Sequence, residues 1–409
     1  MTPALSFFYG GLVRKKNLVS TLVQCLIIFA VVSLIWFGWG YSLVYSNSFN
    51  GIIGDLQLLG LNHLDINTVN TAYAPAIPEA LFFAFQLKFA AITPALIIGA
   101  CAERVRFKSL LIFVALWSTL IYCPIAHWVW NTDGWLHILG AYDFAGGIVV
   151  HVAAGLSALA AALVVGRRKG CVYWKDQLKS LERQNPQAPA MGTEFKPTNI
   201  PYVILGAGLL WFGWFGFNGG SALAADSIAV SAVVSTNLAA AAAAVSWMLI
   251  DWVTKGKPSA VGISVGAVCG MAAVTAAAGY ISFSEAVLIG LVAGLVSNLI
   301  ANWRLGRSRI DDTLDVFACH GIGGIIGAIA VGLFADALIN PAVSGLFFGN
   351  PAQLGIQALA VAVVGAFAFV GSYLLLRLVD ILSPLRVSPE EEDAGLDLSQ
   401  HGEEAYQLD

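Results

Sequence analysis

Ten stretches of this chain are apolar over about the 20 residues that a helix needs to cross hydrocarbon. They run roughly over 21–45, 76–102, 109–130, 144–166, 200–222, 229–254, 259–281, 285–303, 315–335 and 351–378. The chain is 58% hydrophobic and 11% charged, with a mean hydropathy of +0.77. A soluble domain carries about 25% charged residues, so there is too little polar material here to cover a water-facing surface. The expected fold is an all-α polytopic membrane protein with ten full spans. The opening segment, "MTPALSFFYGGLV", has 13 residues before Arg14 and is too short to span by itself. It is expected to be a re-entrant piece or the inner half of a first helix whose beginning is absent. It lacks the basic region and small-residue cleavage site of a signal peptide.

Charge sets the expected orientation. Taking the loops alternately, one set carries 20 of the 21 Lys and Arg residues and the other set (46–75, 131–143, 223–228, 282–284, 336–350) carries none. Lys88, inside a span, is the remaining one. Under the positive-inside rule the basic loops and the acidic C-terminal tail are expected in the cytoplasm. The six cysteines (25, 101, 123, 171, 269 and 319) show no ligand spacing and read as small hydrophobes. His63 and His137 fall in outer loops, His127 near a helix end and His401 in the tail.

Two segments place a histidine inside a span after an aspartate: "DFAGGIVVHVAAG" (143–155) and "DVFACHGIGG" (315–324). Ionisable groups in hydrocarbon are expensive and mark functional sites. At about 1.5 Å per residue, His151 lies about 12 Å inward from Asp143, and His320 about 7.5 Å from Asp315 in the opposite direction. Each aspartate is placed to cap its helix, and each glycine run permits close backbone approach. The pattern suggests two five-helix halves of opposite insertion with the site at their interface. Two histidines are too few for a zinc site but suit proton sharing and hydrogen bonding to a small polar solute.

Aromatic residues gather at the outer ends: Phe85 and Phe89 at i, i+4, Trp130, and "LLWFGWFGFNGGSA" with Trp211, Trp214, Phe217 and Ser221. Ring faces with a hydroxyl over the route to the histidines can recruit a small cation, each cation–π contact being worth about 2 kcal/mol when desolvated. An isolated ion in an apolar interior costs tens of kcal/mol, so the cation is expected to be captured at the mouth and an amine to cross neutral.

These residues resemble the ammonium transporter family (Amt/Mep, related to Rh proteins), Amt branch. The likeness runs along the whole chain through "FFYGGLVRKKN", "ITPALIIGACAERVRF", "PIAHWVW", "DFAGGIVVH", "WFGWFGFNGGS", "DDTLDVFACHG" and "GLDLSQHGEEAY". It implies a homotrimer of eleven-helix subunits in the cell membrane, each with its own pore and a cytoplasmic C-terminus, serving nitrogen metabolism without a cofactor or enzymatic activity. It implies inverted repeats over about 1–166 and 200–335, a last helix over about 351–378 and a transmembrane domain over 1–383. It further implies an extended cytoplasmic loop over 167–199 and a regulatory tail over 384–409.

By the same likeness Phe85, Trp130 and Ser221 are the ammonium recruitment residues, Phe89 and Phe217 the gate, and His151 with His320 the pore histidines. Asp143 and Trp214 are pore or structural residues, and Asp315 is the counterpart of Asp143. Ser399 falls where plant relatives carry a phosphorylated threonine, and a PII signal protein is a plausible partner at the cytoplasmic face. The loop after the fifth span is longer than usual, and its "YWKDQLKSLER" reads as a short amphipathic surface helix. Lys88 stands where the family has an uncharged residue. Ammonium transport with net charge movement is the expected function. The alternatives are an ammonium sensor on the same fold and an electroneutral Rh-like ammonia channel.

Overall fold

A backbone group in hydrocarbon finds no water to bond and must be satisfied within the protein. The computed structural model describes residues 1–62, 64–170 and 195–406, and it meets that demand almost entirely with helices. They are α1 (Thr2–Leu12), α2 (Lys15–Tyr45), α3 (Glu79–Cys101), α4 (107–130), α5 (Gly147–Val165) and α6 (Ile200–Ala222), followed by α7 (Ser227–Lys255), α8 (Ala260–Val274), α9 (Phe283–Leu305), α10 (Phe317–Phe334) and α11 (Ala352–Leu382). A two-residue hairpin, β1 (Ser48–Phe49) with β2 (Ile53–Gly54), decorates the loop after α2, and α12 (Pro389–Ala394) begins the tail.

Among the described residues nine helices are long and apolar enough to cross a membrane, which makes this a multi-pass membrane protein. The expected span over 259–281 needs correction. Its helix, α8, ends at Val274 after 15 residues, and the chain continues in buried turns. Neighbouring segments satisfy that irregular backbone: Phe144 N–H donates to the Ala276 carbonyl (3.0 Å) and Asp336 N–H to the Tyr280 carbonyl (2.9 Å). Non-helical backbone is tolerated at membrane depth only when protein surrounds it in this way.

The opening segment forms the helix α1, packed against α2, α3 and α6. Tyr9 Oη donates to the Leu96 carbonyl (3.1 Å) in the second half of α3. A Cβ at Gly206 of α6 would lie 2.3 Å from the Phe8 nitrogen, so the two backbones touch there.

The alternating charge pattern has a structural counterpart, because the basic loops converge at one end of the bundle. Arg104 is fully buried and donates to the Gly166, Ala102, Ala100 and Asp311 carbonyls and to Thr313 Oγ1 at 2.6–3.0 Å. A guanidinium has five N–H groups, and these bonds tie the ends of α3 and α5 to the loop between α9 and α10. Beside it Glu103 pairs with Arg14 and Arg168 (3.0 Å each), and Arg168 pairs with Asp311 (2.9 Å). Burial opposes the Glu103 charge, but the two guanidinium groups hold its carboxyl below the ordinary range.

The tail, though charged and polar in composition, is packed against the rest of the chain. Residues 385–406 run along the basic end. Ser388 and Glu391 close a capping box on α12, Glu391 pairs with Arg106 (3.0 Å), and Glu392 with Arg386 (2.7 Å). Asp397 accepts from the Val19 and Ser20 N–H groups (3.0 and 2.7 Å), so a carboxylate from the tail serves the first turn of the α-helical part of α2, which begins at Leu18 after a 3-10 turn. The amphipathic helix expected over 173–183 and the His63 loop reading both lie outside the described residues.

Candidate functional site

The site is built where α5 and α10 enter the bundle from opposite ends and meet. At the end away from the basic loops, Asp143 Oδ1 accepts from Gly146 and Gly147 (2.9 and 2.7 Å) and Oδ2 from Ile148 and Val149 (2.8 and 2.9 Å). A carboxylate offers about four acceptor positions, so this one is fully engaged as the cap of α5. Gly146 takes φ +101°, which lets the chain turn into the helix beneath the carboxylate.

At the basic end the expected counterpart, Asp315, does not cap α10. Asp312 does, accepting from Val316 (3.0 Å) and Phe317 (2.8 Å). Asp315 adopts φ +57° and its carboxylate turns to Arg304 (2.7 Å). The residue that matches Asp143 is therefore Asp312, eight residues before His320 as Asp143 is eight before His151. That equality of spacing was the available signal.

Glycines set how closely the helices cross. A Cβ at Gly155 of α5 would sit 2.2 Å from the Gly321 backbone of α10, and one at Gly324 would sit 2.5 Å from the Gly147 carbonyl. Each helix also carries a π-helical turn through its histidine, Gly147–Val152 and Phe317–Gly321, a distortion frequent at functional sites. His151 and His320 are consequently brought together, buried, with Nδ1 atoms 3.2 Å apart and rings nearly parallel at 15°. At that distance one Nδ1 donates and the other accepts. In a neutral pair the two Nε2 atoms then have opposite roles, one an acceptor and one a donor. His151 Nε2 is buried without a hydrogen-bond partner among the described residues. Trp214 stacks on His151 (5.4 Å between centroids, 22°) and is fixed by its own Nε1–H to Thr275 Oγ1 (3.0 Å).

On the side of the pair towards Asp143, the Phe89 and Phe217 rings lie with centroids 4.2 Å apart. Beyond them opens a cavity of about 120 Å³ lined by Phe85, Phe89, Trp130, Ser221 and Asp143 together with Tyr45, Tyr73, Phe82 and Gln86. Trp130 is held by its Nε1–H to the Asp143 carbonyl (3.0 Å), and Ser221 Oγ donates to the Phe217 carbonyl (2.9 Å), leaving its oxygen able to accept. Every residue assigned to recruitment or gating from the sequence therefore meets in one column above the histidines. Tyr45, Gln86 and Asp312 were not singled out. Phe82, Phe85, Gln86 and Phe89 fall at i, i+3, i+4 and i+7, a single helix stripe, which was the missed signal.

Lys88 is not on that stripe. Its Nζ sits over the Phe29 ring of α2, 5.2 Å from the centroid. His127 is a structural residue, bonded to Ser48 Oγ (2.7 Å) and the Val44 carbonyl (2.8 Å). Ser399 lies in the docked tail, its hydroxyl 3.4 Å from the Glu391 carbonyl. Among the described residues no group of three or more His, Cys, Asp and Glu side chains is arranged to hold a metal ion.

Comparison with known proteins agrees with this architecture. Residues 1–406 match the Ammonium Transporter Family. Ammonium transporter Amt1 of Archaeoglobus fulgidus is 44% identical over 406 residues, covering 99% of this chain and 95% of that protein. An ammonium transporter of Bacillus subtilis is 42% identical, with 100% and 95% covered. Among solved structures, Saccharomyces cerevisiae Mep2 superposes with a TM-score of 0.84 at 36% identity, over 95% of this chain and 84% of that one. A sensor Amt protein superposes at 0.85 and 31% identity, over 98% and 94%. The chain belongs to the ammonium transporter family, a family of membrane transporters and not of enzymes.

Proposed function

We propose that this protein carries ammonium across a cell membrane by capturing the cation in the aromatic cavity, removing its proton, and passing ammonia between Phe89 and Phe217 to the His151–His320 pair. The observation that carries this reading is the unbroken column from the cavity, through the 4.2 Å phenylalanine stack, to the 3.2 Å histidine contact. Phe85 and Trp130 offer ring faces and Ser221 an acceptor, which suits a cation of ammonium's size. The full ion does not pass the stack, because losing its hydration in an apolar channel costs tens of kcal/mol. Ammonia does pass when the rings part, and the complementary Nε2 atoms then offer it one acceptor and one donor. Asp143 has its carboxylate committed to four backbone N–H groups, so its part is to hold the cavity's shape and lend it negative charge. The proton passes from ammonium to water at the cavity, giving ammonia and hydronium, and it crosses separately from the ammonia, so that net charge moves.

The basic end is cytoplasmic in this reading, and three copies of the chain assemble in the plasma membrane with one pore each. The two halves, about 1–166 and 200–335, are inverted repeats, followed by the last helix. The tail over 384–409 carries regulation in nitrogen metabolism, and a PII-type signal protein is its partner at the cytoplasmic face. A negative charge at Ser399 would lie beside the Glu391 backbone in the docked tail, next to acidic α12, and repel it. A Ser399→Asp variant should therefore transport less, and unchanged uptake would sink that regulatory role.

The deciding experiment is ammonium-evoked current in proteoliposomes, for the wild type and for a variant with both His151 and His320 replaced by leucine. A saturable current lost in the variant is expected. Absence of wild-type current from folded protein that binds ammonium would instead favour a sensor, a reading that similarity to a sensor Amt structure keeps in play, or an electroneutral channel.

A further inference from the structure

A cavity of about 570 Å³ opens at the basic end, away from the pore column. That volume lies within the range of about 300–1,000 Å³ common to small-molecule sites. Lysines reach it from the body of the protein, Lys15 and Lys16 from the turn that starts α2 and Lys196 from the stretch leading into α6. The tail supplies two carboxylates, Glu403 and Glu404, and the apolar surface of Leu398 and Tyr406. Other bonds fix the cavity's shape. Asn199 Nδ2 donates to Tyr406 Oη (2.9 Å), and Asp397 is spent on the Val19 and Ser20 N–H groups. Arg14, also on the wall, is committed to Glu103. Four exposed charges are left, and they do not match up. Lys15 turns to the Tyr406 ring, 5.6 Å from its centroid. Among the described residues Lys15, Lys196, Glu403 and Glu404 form no ion pair with one another. A pair exposed to water gains little by closing, so these groups keep their donors and acceptors for a solute.

We infer that this cavity binds a small zwitterion, an acid group and an ammonium group on one short frame. A free α-amino acid has that chemistry, and so does an ethanolamine phosphate headgroup. The mixed lining selects it. A simple anion drawn to the lysines also meets Glu403 and Glu404, and a simple cation drawn to those carboxylates meets the lysines, so like-charge repulsion offsets either attraction. A zwitterion offers each sign to its opposite. Its acid group accepts from Lys15 and Lys196, and its ammonium, with three N–H donors, serves Glu403 and Glu404. An apolar side chain on the same frame would lie on Leu398 and Tyr406. The lysines belong to the body of the protein and the carboxylates to the tail. A ligand joining them therefore ties the tail down at a second place, beyond the bonds that Asp397 makes with the start of α2. This goes beyond the transport reading and uses no residue of the pore.

The test uses the purified full chain in detergent, and neither of its readouts needs transport: calorimetric titration and hydrogen exchange of the tail amides. The probes are L-leucine, glycine and ethanolamine phosphate, with N-acetyl-leucine and leucinamide as leucine derivatives that each lack one of the two charges. Leucine is expected to bind and to slow exchange at the Glu403 N–H, which donates to the Asp397 carbonyl (3.1 Å). Each derivative should bind about tenfold more weakly, as for one lost charge-assisted contact. Glycine should bind about threefold more weakly than leucine if the side chain uses the apolar surface. Lys196→Gln and Glu404→Gln should each weaken leucine about tenfold. Both residues are exposed, so melting temperatures without ligand should stay at the wild-type value, which separates a lost contact from a folding defect. Tighter binding of ethanolamine phosphate than of leucine would uphold the site and assign it to a lipid headgroup, and the reverse order would assign it to a free amino acid. Equal binding of leucine and either single-charge derivative would overturn the inference. So would leucine binding that both variants leave unchanged, or no binding of any zwitterion to the wild type.

Discussion

Helices α5 and α10 deliver equivalent histidines to one place, yet their starting turns are built differently. Both begin with an aspartate eight residues ahead of the histidine. Asp143 binds four backbone N–H groups at the edge of an open cavity, with a tryptophan donating to its own carbonyl. Asp312 binds two, among arginines and acids that seal the basic end. The device that positions the imidazoles is thus nearly the same at both ends. What differs is the loop packed around it, aromatic and open at one end, ionic and closed at the other. A site can be symmetric at its centre and directional at its mouths when caps and spacing are common but loop chemistry is not.

The caps give the largest expected effect. Asp143→Ala would leave four N–H groups of a buried helix start without partners, and Asp312→Ala two. Single N-cap losses cost about 0.5–2 kcal/mol, and bonds to charged acceptors are worth about 1.5–3 kcal/mol each. We expect Asp143→Ala to cost about 4 kcal/mol and Asp312→Ala about 2 kcal/mol, read as thermal unfolding of the purified protein. Equal losses, or the reverse order, would break the comparison.

Next are the glycines at the crossing. Gly155→Ala would place a methyl 2.2 Å from the Gly321 backbone, where nothing can move aside without shifting α10. A cost of about 1–3 kcal/mol is expected from overpacking, with the histidine contact stretched and transport impaired. Gly365→Ala on α11 serves as the control, since its methyl would meet the nearest atom, Leu156 Cγ, at 3.6 Å. An ordinary contact of that kind, with less backbone freedom to lose, should leave stability unchanged or slightly raised. If Gly155→Ala were as benign as the control, close approach would not be what sets the histidine geometry.

Much of this was legible in the sequence because hydrocarbon makes two demands that composition records directly. Spanning segments must be apolar, so hydropathy found the helices, and arginine and lysine prefer one side, so charge alternation identified the loops that Arg14, Arg104 and Arg168 later knit together. The histidines were conspicuous because a titratable group in an apolar run has few innocent explanations. The α8 boundary was hidden, since residues 275–281 are as apolar as a helix and only their neighbours, Phe144 and Asp336, hold them in turns. Gln86 was hidden by its setting, because one amide among phenylalanines carries no charge to attract notice. The cap of α10 was hidden by choice: "DDTLD" offers three aspartates, and backbone torsion decides which faces the helix.

That choice yields the smallest effect and the finest test of the comparison. Asp315 holds φ +57°, a region that non-glycine residues visit at some cost and that asparagine tolerates well. Its carboxylate, 22% exposed, pairs with Arg304 and accepts no N–H of α10. Asp315→Asn keeps the torsion and removes only the charge, so a loss of about 1 kcal/mol is expected, the upper range for a partly screened pair. Asp315→Gly removes the same charge and relieves the torsion, so it should fall between the wild type and Asp315→Asn in melting temperature. Neither should alter ammonium-evoked current, because neither moves the start of α10. If Asp315→Asn destabilised as much as Asp312→Ala, the cap would have been assigned to the wrong aspartate. The equal eight-residue spacing would then be coincidence, and the two pore helices would reach their histidines by different means.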